Sequence, residues 1–154
     1  MDGERVDRGE RRMAAPADVV HRALLDPRSL ERWLPPEGMT GRVECFDPRP
    51  GGGYRMTLTY RDPGPGKTDA GTDVVEVGFV DLVPEERVVQ RVVFESDDPA
   101  FAGTMTMTWR LASDGDTTLV TVTAEDVPPG ITPQDHAAGL ASSLAQLAVF
   151  VEHG

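Results

Sequence analysis

Between Tyr54 and Glu125 apolar and polar side chains alternate along the chain, and beyond Thr132 that period of two gives way to spacings of three and four. No other feature constrains the fold as much. A two-residue period gives a strand one apolar face, and a mixed three-and-four period gives a helix one apolar stripe. Thr104 to Leu111 alternates without error, with Met105, Met107, Trp109 and Leu111 on one side and Thr104, Thr106, Thr108 and Arg110 on the other. Tyr54, Met56, Leu58 and Tyr60 oppose Arg55, Thr57 and Thr59 in the same way. Strands are also predicted over 73–83, 87–95 and 117–125, with turns at Pro84-Glu85-Glu86 and Asp114-Gly115. A further strand is marked by Val43, Cys45 and Phe46.

Helical signals sit at the two ends. After a polar first strand over 5–13, suited to a sheet edge, Pro16 and Asp18 open a helix carrying Val19, Val20, Ala23 and Leu24 on one side. Asp26 is the predicted N-cap of a second short helix with Leu30, Trp33 and Leu34 on one face, closed by Pro35-Pro36. Thr132, Pro133 and Asp135 form a strong helix start. From there Ala137, Leu140, Ala141, Leu144, Leu147, Ala148 and Val151 give a long helix with one apolar stripe. That helix alone is long enough to cover the apolar side of the sheet, so the expected class is α+β, a twisted antiparallel sheet curled round it. No repeat or linker divides the chain, and residues 1–154 are expected to form one domain.

The chemistry excluded by composition is broad. The 154 residues carry a formal charge of -11, and residues 95–154 hold nine acidic side chains and one arginine. Phosphate binding would have to work against that field, so no nucleic acid is expected as a partner. Cys45 is the sole cysteine; it allows no internal disulfide and no thiolate zinc site, and is predicted to be a small buried hydrophobe. His21, His136 and His153 lack metal spacing, so no metal is expected. Gly64-Pro65-Gly66-Lys67-Thr68 resembles a phosphate loop, but Arg61 stands where its first glycine is needed and a strand follows. Gly51-Gly52-Gly53 reads as a turn or bulge before a strand, and no nucleotide or other cofactor is expected. The longest apolar run, 147–151, is far short of the ~20 residues that span a bilayer. With a charged N-terminus, this leaves no membrane partner and a cytoplasmic location as the expectation.

Catalytic groupings are thin. Asp135-His136 reads as helix-start chemistry, and neither Ser142 nor Ser143 sits on a strained nucleophile turn beside His136. Asp97-Asp98 and Glu125-Asp126 read as solvated loop charges. The informative surface is the apolar sheet face: Tyr54, Met56, Leu58, Phe79, Phe94, Met105, Met107 and Trp109, with Val120, Val122 and Ala124. Leu144, Leu147 and Ser143 would face it from the helix, and Trp33, Met39 and Phe101 would form the mouth of any opening. Both a plain core and a ligand cavity satisfy this pattern. Methionine favours the second, since it adapts to irregular space. So does Gln90, whose register with Val88 and Val92 turns an amide inward, where it needs a partner such as Tyr54, Ser143 or a ligand.

Five stretches carry a family resemblance: 33–39 (WLPPEGM), 46–52 (FDPRPGG), 80–87 (VDLVPEER), 103–109 (GTMTMTW) and 139–147 (GLASSLAQL). With the order strand, two short helices, six strands and long helix, the chain resembles the START / Bet v 1-like superfamily. Within it, the chain is similar to the bacterial relatives of the activator of Hsp90 ATPase homologue. The resemblance implies a helix-grip fold of about seven strands with a cavity between sheet and helix. Three functions follow as expectations. The first is binding of a small hydrophobic or aromatic molecule without defined catalysis. The second is regulation of an Hsp90-type chaperone ATPase. The third is cyclase-like chemistry with Tyr54, Gln90 or an acid as proton donor. A homodimer also stays open as a partner state.

Overall fold

A computed structural model describes residues 5–35, 38–60, 72–94 and 103–153, apart from the side chains of Tyr60, Thr72, Asp73 and Phe94. Each alternating segment is a strand, and the period change at Thr132 is where the sheet ends and the long helix begins. In chain order the elements are β1 (Val6–Met13), α1 (Ala17–Leu24), α2 (Pro27–Trp33), β2 (Met39–Asp47), β3 (Gly53–Tyr60), β4 (Thr72–Val83), β5 (Arg87–Phe94), β6 (Gly103–Asp114), β7 (Thr117–Glu125) and α3 (Pro133–His153). The seven strands form one antiparallel sheet in the order β1-β7-β6-β5-β4-β3-β2. Consecutive strands pair from β2 to β7, whereas β1 joins at the far edge beside β7. The helices α1 and α2 therefore carry the chain from one edge of the sheet to the other. This is the α+β helix-grip arrangement: a curved sheet, a long terminal helix and two short helices after the first strand.

Local chemistry sets the boundaries. Asp26 caps α2, accepting from the Ser29 backbone N–H at 2.9 Å, and Thr132 caps α3, accepting from Asp135 N–H at 3.1 Å. At the turn into β3, a Cβ on Gly53 would lie 2.1 Å from the Val77 carbonyl oxygen, so only glycine lets these backbones meet.

The alternating residues bury as their period demands. Tyr54, Met56, Phe79, Val88, Val92, Met105, Trp109, Leu111, Val120, Val122 and Ala124 line the inner face. The ring of Trp33 meets that of Trp109 edge-on, 5.8 Å between centroids. Three polar side chains of α3 hold it over this face. His136 Nδ1 meets Asp7 of β1 at 2.5 Å. Gln146 donates to the carbonyls of Trp33 and Pro35, and Glu152 accepts from Ala14 N–H.

Two sequence expectations need correction. Cys45 is exposed, with φ 56°, inside the pairing irregularity between Glu44 and Asp47. The extra residue of this bulge throws Cys45 outward and turns Phe46 inward, onto the rings of Tyr54 and Phe79. The stripe on α3 is also narrower than its spacing suggests. Leu140, Leu144, Leu147, Ala148 and Val151 are buried, but Ala137 and Ala141 are exposed. The close contacts of α3 are with β1, α1 and α2 rather than with the middle of the sheet.

Candidate functional site

The seat of α3 beside β1 leaves space over the central strands. Its floor is Tyr54, Met56 and Leu58 of β3, Val75 and Val77 of β4, Gln90 and Val92 of β5, and Met105, Met107 and Trp109 of β6. Its roof is the flank of α3 that carries His136, Gly139, Leu140, Ser142, Ser143 and Gln146, with Leu34 at the side. His136 and Leu140 reach the sheet only at β1, and the small and polar residues beside them leave the central strands uncovered. The partly open cavity they bound has a volume of about 350 Å³, in the lower range of small-molecule sites. None of these lining residues is Asp, Glu, Lys or Arg.

The polar groups of the cavity have definite states. Trp109 Nε1–H donates to Gln90 Oε1 at 3.2 Å, so the expected partners of Gln90, Tyr54 and Ser143, give way to the indole. An indole N–H can only donate, and this contact fixes which way the amide faces. The Gln90 amide nitrogen then has no partner among the described residues. Burial pushes the Tyr54 phenol well above its usual range, so it stays protonated.

At the N-terminal end of α3, His136 belongs to a chain of polar contacts. Arg5 forks onto Asp7 with contacts of 3.0 and 2.7 Å, and the same carboxylate meets His136 Nδ1. The hydrogen bond from Arg5 is the main cause that holds the Asp7 carboxyl below its ordinary range. The bond to His136 adds to this, against the opposing cost of burial. The acid that serves His136 is thus Asp7, far off in sequence, and not the neighbouring Asp135. Nothing in the spacing of either residue signals this pairing; only the docking of α3 on β1 creates it.

The other sequence-selected residues fall into three groups. Tyr54, Met56, Leu58, Gln90, Met105, Met107, Trp109 and Ser143 border the cavity. Trp33, Met39, Phe79, Leu144 and Leu147 are packed in the core beside it. Trp33 donates to the Ala23 carbonyl at 2.9 Å, and Met39 opens β2 rather than lying in a loop. The Phe94 side chain, Phe101, Asp97-Asp98 and the 64–68 segment lie outside the described residues. Sequence reasoning passed over Leu34, Val75, Val77, Val92, His136, Gly139, Leu140, Ser142 and Gln146 as lining residues. The alternation of β4 and β5 could have found the three valines. Elsewhere, His21 Nε2 is buried without a partner, and burial lowers its pKa against the opposing charge of Glu85. Glu125 and Asp126 are exposed at the end of β7. No helix among the described residues is long and apolar enough to cross a membrane.

Comparison with known proteins adds a family match. The family model described as activator of Hsp90 ATPase homolog 1-like protein matches residues 14–152. The crystal structure of protein CV1439 from Chromobacterium violaceum is 34% identical, with 96% of this chain and 97% of that chain covered and a TM-score of 0.82. Protein NE0264 from Nitrosomonas europaea is 22% identical, with coverages of 99% and 97% and a TM-score of 0.73. A protein from Arthrobacter aurescens is 15% identical, with 97% and 87% covered at a TM-score of 0.81. The last two likenesses show the fold alone. No protein with a curated description matches the chain.

Proposed function

The chain belongs to the family of activator of Hsp90 ATPase homolog 1-like proteins, and on that premise we propose that residues 1–154 act as one domain that binds a small hydrophobic or aromatic molecule between the sheet and α3. The observation that carries this reading is the cavity of about 350 Å³, walled mainly by Met, Val, Leu and aromatic side chains and holding a few polar groups. Affinity would come from apolar area taken out of water, roughly 25 cal/mol per Å² before the costs of association. Three lining methionines, Met56, Met105 and Met107, support a site that adapts its shape to its guest.

A thermal-shift screen with small aromatic and aliphatic compounds tests the reading. A bound compound at about 100 times its Kd stabilises by roughly 2.7 kcal/mol, which for a domain of this size is a rise of several degrees. Met107→Lys puts an ammonium group at the cavity wall and should abolish the shift while the fold persists. If no compound moves the native midpoint, the binding reading fails.

A second reading, regulation of an Hsp90-type chaperone ATPase, rests on the family description. It uses an outer surface rather than the cavity. Stimulation of the host chaperone's ATPase, unchanged by Met107→Lys, would favour it.

A further inference from the structure

We propose that His136 is the proton acceptor of the cavity, and that the bound molecule is a neutral aromatic compound whose phenol-type hydroxyl donates to His136 Nε2. The inference rests on the binding reading above and adds the chemistry of the guest. Asp7 is a buried residue of β1, and its carboxylate already accepts two contacts from Arg5. A carboxylate can only accept, so the third contact, from His136 Nδ1, requires the ring proton to sit on that nitrogen. In the neutral ring Nε2 then carries the lone pair, and no described residue donates to it. His136 at the same time borders the cavity. A contact serving only to pin α3 would need no such position.

The arrangement resembles the acid-and-imidazole part of a general-base system, in which the carboxylate fixes the tautomer and steadies the imidazolium that forms on proton uptake. Asp7 and Arg5 are positioning residues here, since neither lines the cavity. The charge of the guest follows from the wall. Among the described residues no Lys or Arg lines the cavity, so a guest that arrives neutral and shares its hydroxyl proton with His136 needs no fixed counter-charge. Transfer is balanced within the pair: the O–H bond breaks, the N–H bond forms at Nε2, and the phenolate keeps the electron pair.

Naphthol is a suitable probe, because its hydroxyl becomes a far stronger acid on excitation and naphthol and naphtholate emit at different wavelengths. At saturating native protein, the expected result is emission from naphtholate. In His136→Gln the naphtholate band should be lost, with naphthol still bound as judged by quenching of its free signal. Neutral emission from bound naphthol in the native protein overturns the proposal and leaves the binding reading standing. Equal naphtholate emission in both proteins also overturns it, since water would then be the acceptor. If naphthol does not bind at all, the proposal falls, and the thermal-shift screen decides the binding reading separately. Nitrogen NMR of the native protein, recorded where the ring is neutral, gives an answer that needs no variant. It should show His136 protonated on Nδ1, and a proton on Nε2 refutes the assignment.

Discussion

Gln90 shows how one buried amide acquires an orientation. It is 8% exposed on the inner face of β5, paired in register with Phe79 on one side and Met107 on the other. Its oxygen accepts the indole N–H of Trp109, the only bond that nitrogen can make. Gln90→Leu keeps the bulk but leaves the buried indole donor unpaired, at a cost of about 1–3 kcal/mol. We expect a lower urea midpoint with the slope of the transition unchanged. An unchanged midpoint would mean that the indole finds another acceptor. The period-two pattern was enough to turn Gln90 inward. It could not select Trp109 over Tyr54 as the partner, because that choice depends on a diagonal contact between β5 and β6.

At the scale of elements, the seat of α3 on β1 depends on Gly9. A Cβ there would lie 3.0 Å from Leu144 Cδ1 and 3.2 Å from Leu140 Cβ. The tip of Leu144 can rotate away, but the Cβ of Leu140 moves only with the helix backbone. Gly9→Ala reduces the freedom of the unfolded chain, which favours folding by about 0.4–1 kcal/mol. Crowding in a packed interface costs about 1–3 kcal/mol and should win. The expected outcome is a net loss of order 1 kcal/mol, seen as a fall of a few degrees in Tm. A rise in Tm would show that α3 shifts freely. The same seat explains why helical periodicity overstates the stripe: β1 and the short helices cover the Leu144 side, and the Ala137 and Ala141 side stays in solvent. Likewise, alternation cannot foresee the bulge that exposes Cys45, since one inserted residue reverses every later side chain of β2.

Across the whole molecule, Arg5, Asp7 and His136 join the start of the chain to its final helix. The folded Asp7 carboxyl lies below its unfolded value, about 4 for aspartate. In acid the unfolded chain therefore binds the proton first. The stability that Asp7 contributes is fully present above the unfolded value and is lost as pH falls through the folded one. Asp7→Asn should be less stable than the native protein near neutrality and should show a flatter fall of the urea midpoint below about pH 4. Parallel acid limbs for the two proteins would show that other carboxylates set the acid response.

The order of elements, the inward face of the strands other than β2, the caps on α2 and α3 and the anionic character of the molecule all follow from local rules, because period, turn chemistry and charge act between near neighbours in the chain. These were legible without coordinates, as was the inward direction of Met105, Met107 and Trp109 on β6. The space between α3 and the sheet, the Asp7–His136 contact and the setting of Trp33 and Leu147 in the core were decided by where the helix seats. That seat arises from many long-range contacts at once, through Gly9, Leu140 and Gln146, and spacing within any one segment carries no record of it.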